Sequence, residues 1–389
     1  MIRRDFTRSL LAGMTALAAG RRDRDAIAKN PTGQDSASVP TVSMPNDRLE
    51  QGADRNVHHE LDWLGPGTLT DVPGIKVGHA TSKQRPTGCT VVLCGSGAVA
   101  GVDVRGSAPG SRETDLLSPT NTVQQVQAIV LAGGSAFGLD TATGVTRYLE
   151  EHGLGFKIGS LGVVPIVPAA ILFDLGVGDP KIRPTAEFGY QACVAATAEP
   201  VAQGNVGAGA GATIGKAFGP QFAMKSGLGS ASAKIGNTGI VVGAVVAVNA
   251  VGDVLNPRTG KIVAGARSTE GHGFRDTMAE IMRGYQISPL GGANTTIGVV
   301  ATNVALEKVQ MTKIAQMAHD GLARTINPVH TPSDGDTIFA LSTGTLTVKA
   351  NHGNIGAIAA EVLAQAVVRA VASAEGIPNY PALRDLTSK

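Results

Sequence analysis

The chain has 389 residues, enough for one large domain or two ordinary ones, and its formal net charge of +2 gives no general reason to expect nucleic-acid binding. Its 51 glycines and only 4% aromatic residues favour closely packed strands and helices over an aromatic-lined cavity. The three cysteines lack the spacing of metal ligands, so we predict no metal site and interpret all three as small buried hydrophobes.

The first residues have the pattern of a twin-arginine (Tat) export signal. Arg3 and Arg4 precede an apolar stretch, residues 10–19, that is too short to span a bilayer. We predict a signal segment over residues 1–20 and a periplasmic location, the alternative being a basic amphipathic leader with no targeting role. The polar stretch that follows lacks apolar periodicity, so residues 21–66 are predicted to be a disordered linker.

Residues 67–389 are predicted to form a single domain in which strands occur in runs and helices do not alternate regularly with them. A hairpin is expected around residues 95–97, and a buried strand at residues 126–132 is expected to lead into a helix. Longer helices are predicted at residues 307–324 and 355–374. This order favours an α+β fold, an αββα sandwich of two mainly antiparallel sheets between helices.

A glycine-rich turn at residues 291–293 precedes Asn294, Thr295 and an apolar run rich in β-branched residues. The pattern predicts that Thr295 opens a buried strand. A hydroxyl needs a base to act as a nucleophile, and chain cleavage before Thr295 would supply its own α-amino group, which titrates near neutral pH. The hypothesis is therefore self-cleavage between Asn294 and Thr295; the alternative is an ordinary turn that caps a strand.

Gly133, Gly134, Ser135 and Phe137 belong to a GGSAFG run at a predicted strand-to-helix turn. The run misses the G-x-S-x-G nucleophile elbow by one residue. Ser135 could simply cap the helix, or the glycines could expose backbone N–H groups to a substrate oxyanion.

Lys216 follows a run of small residues that resembles a phosphate-binding loop. Ala210 and Ala217 replace residues that such a loop requires, so phosphate binding is not expected. Lys216 could be a solvated strand residue or a buried cation near a catalytic centre.

Three further polar residues lie beside predicted strands. Asn249 ends a mostly apolar run, where it could be a turn residue or an amide donor of an active site. Asp334 and Asp336 flank Gly335 before another apolar strand, in good turn chemistry. If that loop folds against Thr295, the two carboxylates could orient its amine and hydroxyl.

Taken together, these motifs resemble the P1 (S58) peptidases: the self-processing DmpA-like aminopeptidases, the β-aminopeptidases and the 6-aminohexanoate-oligomer hydrolases. The order of motifs is similar over nearly all of the predicted domain, at residues 132–139, 205–209, 215–216, 248–249, 294–296 and 334–337. The resemblance implies an αββα fold like that of N-terminal-nucleophile hydrolases, with self-cleavage into an α chain, residues 67–294, and a β chain, residues 295–389.

Carried over residue by residue, the resemblance implies the roles of five catalytic residues. Thr295 matches the nucleophile, Lys216 and Asn249 match a lysine and an oxyanion-binding asparagine, and Asp334 and Asp336 match a supporting pair. Phe137 stands where some members have tyrosine, which leaves substrate choice open.

The sequence therefore predicts an exported aminopeptidase that acts on small peptides or amides with a free amine, without metal or organic cofactor, nucleic acid or stable membrane insertion. A homo-oligomer of processed αβ units is expected. The alternatives are a linear-oligoamide hydrolase or D-aminoacyl esterase of the same fold, a serine hydrolase that uses Ser135, and a non-catalytic glycine-rich binding protein.

Overall fold

The computed structural model describes residues 60–269, 273–287 and 294–387. The predicted signal, most of the predicted linker and the glycine turn at residues 291–293 lie outside the described residues. The strands in the described part are β1 (Lys76–Thr81), β2 (Gly88–Val104), β3 (Ser111–Arg112), β4 (Gln125–Ala132), β5 (Phe156–Lys157), β6 (Val163–Val164), β7 (Ala169–Ile171), β8 (Thr213–Ile214), β9 (Met224–Lys225), β10 (Leu228–Lys234), β11 (Val241–Asn249), β12 (Asp253–Leu255), β13 (Ile262–Ala264), β14 (Thr295–Val304), β15 (Ile326–Asn327) and β16 (Thr337–Leu346).

The α-helices of the same residues are α1 (Thr141–Glu151), α2 (Ala186–Val194), α3 (Thr277–Met282), α4 (Lys308–Thr325), α5 (His352–Ala372) and α6 (Leu383–Thr387). Asn351 caps α5, because its side-chain oxygen accepts a hydrogen bond from the Gly353 N–H at 2.8 Å. By length and composition α5 could cross a membrane, but 67% of its most apolar window is buried inside the protein. Its apolar character is accounted for by packing in the core.

Nine strands form the main sheet, in the order β10-β11-β14-β16-β2-β4-β7-β3, with β1 beside β2. The pairs β14–β16 and β4–β7 are parallel, and the other pairs are antiparallel. The sheet is therefore mainly antiparallel, as the sequence predicts.

The side chains of this sheet alternate between separate apolar clusters. In β14, Ile297 and Val299 face a central cluster shared with β2 and β4, whereas Val300 faces a second cluster with α4 and α5. In β4, Ile129 and Leu131 face the central cluster, and Val130 faces a third cluster with α1 and α2. The layers are thus helices, sheet, sheet and helices, and the predicted αββα arrangement is confirmed.

The two sheet layers are one continuous hydrogen-bonded sheet, joined through β2. The hairpin predicted around residues 95–97 is wrong, because β2 runs without a turn from Gly88 to Val104. Its pairing with β4 shifts register between Leu93 and Ala98. The glycines that suggested a turn lie instead at a bulge, which bends the strand from one layer into the other.

Residues 60–66, which we predicted to belong to the linker, pack on the domain. Leu61, Trp63 and Leu64 contact the cluster under α4 and α5. The Glu60 carboxylate accepts a hydrogen bond from Lys261 at 3.0 Å. Three apolar side chains are too few to produce a periodic pattern, so this contact was not predictable from the sequence.

The sheet brings the ends of three strands together. Asn249, the last residue of β11, pairs with Thr295, the first residue of β14. Because β14 and β16 are parallel, the residues that precede β16 lie beside the start of β14, with Thr337 opposite Ile297. The candidate nucleophile, the asparagine and the acidic loop therefore meet at one end of the sheet.

Candidate active site

Thr295 is buried at the start of β14, against the peptide bond that precedes it. Its Oγ1 donates a hydrogen bond to the Asn294 carbonyl oxygen, and the Gly335 N–H donates to the same oxygen at 3.0 Å. A Cβ on Gly335 would lie 2.9 Å from Thr295 Oγ1 and 2.7 Å from the Ala108 carbonyl oxygen. Glycine at position 335 therefore lets the loop approach the hydroxyl closely.

Asp336 is buried beside the start of β14 and is held at both of its carboxylate oxygens. Oδ1 accepts a hydrogen bond from the Thr296 N–H at 2.6 Å. Oδ2 accepts from the His330 backbone N–H at 3.1 Å and lies 2.8 Å from His330 Nδ1. The carboxylate is thus fixed against the backbone of the residue that follows Thr295.

Asp334 lies on the same loop but is less completely bound. Its Oδ2 accepts a hydrogen bond from the Thr331 N–H at 2.7 Å, whereas its buried Oδ1 has no hydrogen-bond partner among the described residues. Burial, followed by the charge of Asp336, raises the pKa of Asp334 to about 6. This carboxyl group can therefore exchange a proton near neutral pH.

Lys216 and Asn249 form the opposite side of the site. Lys216 Nζ donates to both the main-chain oxygen and Oδ1 of Asn249, at 3.0 Å each. The Thr213 N–H donates to the same Oδ1 at 3.1 Å, and Asn249 Nδ2 donates to the Phe173 carbonyl oxygen at 2.9 Å. These bonds fix which way the asparagine amide faces.

The charge of Lys216 is sensitive to pH near neutrality. Burial lowers its pKa to about 7, while Asp334 and Asp336 act in the opposite direction. The ammonium group and the two carboxylates therefore share one electrostatic environment, in which small changes alter the charge of the site.

The backbone N–H groups of the glycine turn at residues 133–134 do not point to a substrate site, as one of the predictions required. The N–H groups of Gly133 and Gly134 donate to the Gly88 carbonyl oxygen at 2.9 Å and to Asp174 Oδ1 at 2.8 Å. Because both N–H groups have acceptors within the protein, the structure does not support their predicted oxyanion role. The sequence could not show this, since Asp174 lies 40 residues away in the chain.

Ser135 and Phe137 likewise do not line the cavity beside the candidate nucleophile. The Ser135 N–H donates to the Leu172 carbonyl oxygen at 3.0 Å, and Phe137 is 54% exposed with the Arg183 guanidinium over its ring. In the described part of the chain, no histidine bonds to the Ser135 hydroxyl. The geometry therefore gives no support to a serine hydrolase that uses Ser135.

A buried ion pair behind the site was missed by the sequence analysis. Arg85 donates to Asp174 Oδ1 at 2.7 Å, and Thr87 donates to Oδ2 at 2.7 Å. The same arginine donates to the carbonyl oxygens of Asp174 and Val177. The pair holds the segment that carries Phe173, the residue to which the Asn249 amide donates.

A cavity of about 440 Å³ lies beside Lys216 and Asn294. Its other wall residues include apolar and aromatic side chains that the sequence analysis did not identify, namely Phe173, Val177, Phe218, Val251, Tyr285, Ile287 and Tyr380. They come from segments far apart in the chain, so no local pattern marks them. A larger hollow of about 1000 Å³ shares Val177, Pro220 and Tyr380 with it, so the cavity continues toward the surface.

Groups of three or more candidate metal ligands are absent from the described residues. The site instead combines a hydroxyl, a lysine, an amide and two carboxylates beside a mainly apolar cavity. Such a set suits nucleophilic attack on a carbonyl compound.

Two solved structures have a fold similar to that of this chain. The Burkholderia sp. beta-aminopeptidase matches with a TM-score of 0.60 at 23% identity, covering 82% of this chain and 91% of that one. The L-aminopeptidase D-Ala-esterase/amidase of Ochrobactrum anthropi, described as a variant of the Ntn hydrolase fold, matches with a TM-score of 0.60 at 20% identity, over 82% and 90% of the two chains. The expected Ntn-hydrolase-like fold is therefore confirmed.

The sequence comparisons give the family. The family model of peptidase family S58 matches residues 67–382. An uncharacterized aminopeptidase of Mycobacterium tuberculosis is 46% identical, over 82% of this chain and 97% of its own length. A 6-aminohexanoate-oligomer endohydrolase of Kocuria sp. is 32% identical, over 77% and 84%. The chain belongs to peptidase family S58, and it is an amide hydrolase of the aminopeptidase type.

Proposed function

We propose that this hydrolase cuts its own chain between Asn294 and Thr295 and then uses Thr295 as an N-terminal nucleophile on peptides or amides with a free amine. The observation that carries the proposal is the contact of Thr295 Oγ1 with the Asn294 carbonyl group. The hydroxyl lies against the bond that it would cleave, and the Gly335 N–H is already bonded to the oxygen on which charge would develop.

In the processing step, Thr295 Oγ1 attacks the Asn294 carbonyl carbon. A C–O bond forms, the C–N bond breaks, and the hydroxyl proton is transferred to the departing nitrogen. Asp334 supplies a proton acceptor on the loop before β16, where it forms an isolated β-bridge with Asn294 and keeps one buried oxygen without a partner among the described residues. Water then hydrolyses the ester, which leaves a carboxylate on Asn294 and a free α-amino group on Thr295.

In the hydrolytic step, that α-amino group takes the proton of the Thr295 hydroxyl and later gives it to the leaving amine. Lys216 and Asp336 set the charge of the amine, since both lie around the start of β14. The amide of Asn249, directly opposite Thr295 in the sheet, is the candidate donor to the substrate oxyanion. Unlike a backbone nitrogen, its Nδ2 carries two N–H bonds, and the contact with Phe173 uses one of them.

The mainly apolar cavity supports an aminoacyl substrate whose side chain is apolar. The 46% identity to a protein named as an aminopeptidase favours aminoacyl amides over the oligoamides named for the relative at 32% identity. A hydrolysis panel of α-, β- and D-aminoacyl amides and 6-aminohexanoate oligomers separates these substrates. Faster hydrolysis of the 6-aminohexanoate oligomers would favour an oligoamide hydrolase over an aminopeptidase.

Replacing the nucleophile tests self-processing. We expect Thr295→Ala to remain one intact chain without hydrolase activity, because it lacks the attacking oxygen. Thr295→Ser is the matched control, since it keeps a hydroxyl, and it should still split. Gel electrophoresis and N-terminal sequencing measure the outcome; cleavage of Thr295→Ala at the same bond would refute the proposal.

We also propose export by the Tat pathway, which the pair Arg3 and Arg4 before a short apolar stretch supports. Replacing both arginines with lysine should retain the protein in the cytoplasm while leaving its charge unchanged. Cell fractionation measures this, with the wild-type chain as reference. Normal accumulation of the double variant in the periplasm would show that the twin arginines are not an export signal.

A further inference from the structure

His330 has an unusual backbone conformation beside the acidic loop. Its φ of 57° lies in the left-handed region, which residues other than glycine adopt uncommonly, although asparagine, aspartate and histidine do so more often than the rest. In this conformation, the backbone N–H and the imidazole Nδ1 both approach Asp336 Oδ2, at 3.1 Å and 2.8 Å. The strain thus accompanies a two-point contact with a single carboxylate oxygen.

The contact defines where the histidine proton lies. An ionised carboxylate only accepts hydrogen bonds, so Nδ1 carries the proton and donates it to Oδ2. The remaining ring nitrogen, Nε2, is buried and has no hydrogen-bond partner among the described residues. With Oδ2 held in this way, Oδ1 of Asp336 faces the Thr296 N–H at 2.6 Å.

The ring of His330 is supported from α4 by His319. The two ring centroids are 4.8 Å apart in an edge-to-face arrangement. His319 Nε2 lies 3.0 Å from the Asp103 carbonyl oxygen, to which it donates, and 3.6 Å from the Asp103 carboxylate, which also binds Arg105. Burial lowers the pKa of His319 to about 4, so this supporting ring stays neutral near pH 7.

We propose that His330 is a positioning residue for the nucleophile: it fixes the rotation of the Asp336 carboxylate, so that Oδ1 stays against the backbone beside Thr295. The terminal carboxylate torsion of an aspartate is broad, so without the His330 donors Asp336 would not be held at one angle. The inference rests on the proposed function, because its consequence is the rate at which Thr295 cuts the chain and then the substrate.

Two variants separate the side-chain donor from the backbone. His330→Gly accepts the left-handed φ and keeps the backbone N–H, but loses the imidazole donor. His330→Asn also tolerates this φ and offers an amide N–H at a comparable reach. A lost hydrogen bond to a charged group corresponds to about a ten- to hundredfold change in rate.

We therefore expect His330→Gly to slow self-cleavage by about tenfold or more, and to lower kcat with little change in KM. His330→Asn should recover most of both rates. The readouts are the time course of cleavage after synthesis and steady-state kinetics on fully cleaved protein, with the melting temperature of each variant as a check on folding.

Three outcomes are distinguishable. Wild-type cleavage and kcat in His330→Gly would overturn the positioning role while leaving the proposed function intact. Equal losses in the glycine and asparagine variants would also overturn it, because the donor would then not matter. A Thr295→Ala chain that still splits would instead refute the proposed function itself.

Discussion

At the scale of single residues, the site depends on a lysine whose charge is set by competing effects. Burial favours the neutral form of Lys216, whereas Asp334 and Asp336 favour the cation, and its pKa settles at about 7. A cation near the free amine of Thr295 would lower the pKa of that amine, while the two carboxylates would raise it. In the proposed processed enzyme, the lysine would therefore keep the amine available as a base at lower pH.

Removing this charge should change the pH profile. In Lys216→Met the carboxylates act alone, so the pKa of the Thr295 amine rises and the acidic limb of kcat/KM moves to higher pH. The effect should be largest below pH 7, where Lys216 of the wild type is charged. The measurement is kcat/KM against pH on protein verified as cleaved.

Lys216→Arg is the matched variant for that experiment, since it keeps a positive charge throughout the range. Its acidic limb should stay close to that of the wild type, even if its maximal rate falls. An acidic limb that does not move in Lys216→Met would show that this lysine does not tune the amine.

Single site residues were predictable where they stood next to a recognisable local sequence pattern. Thr295 and Asn249 stand at the ends of apolar strand patterns, and Asp334 and Asp336 flank a glycine; the structure brings them together with Lys216. The Arg85–Asp174 pair had no such mark, because its members lie 89 residues apart and meet only in the folded chain.

At the scale of elements, helices and strands approach closely where glycine removes a side chain. Gly229 of β10 is packed under α5, and a Cβ there would lie 1.9 Å from the Ala366 carbonyl oxygen. The obstacle is helix backbone, which cannot move aside as a flexible side chain can. At this position, glycine allows the sheet and the helix layer to pack closely together.

Gly229→Ala should therefore destabilise the protein, by about 3 kcal/mol, the upper part of the usual range for overpacking. Gly65→Ala is the control, because its nearest contact would be Gln365 Oε1 at 3.8 Å. Urea unfolding of both variants measures the difference. Equal free energies of unfolding would contradict the close packing of β10 against α5.

Elements were predicted well where the pattern was long and periodic, as in α4, α5 and β14. The hairpin prediction at residues 95–97 was wrong because glycines occur both in turns and in bulges. Only the pairing of β2 with β4 distinguishes the two cases. Local sequence does not contain that pairing. The order of strands in the sheet was not predictable from local patterns either. Strand β14 pairs with both β11 and β16, although other elements separate them in the chain.

At the scale of the whole molecule, the proposed cut divides a structure whose two parts are interleaved. Residues 295–387 contribute β14 and β16 to the main sheet, and these lie between β11 and β2 of the preceding part. The same residues supply α4 and α5, which cover one sheet face. Cleavage before Thr295 would break one covalent bond. The hydrogen bonds between β11 and β14 and between β16 and β2 would remain.

We therefore expect the two fragments to remain together after processing. They should elute as one species in size-exclusion chromatography under native conditions and separate only when denatured. Unfolding should remain a single cooperative transition, because neither fragment can complete the main sheet or the central apolar cluster without the other. The uncleaved Thr295→Ala chain is the control for elution volume; separate elution of the native fragments would contradict the interleaved sheet.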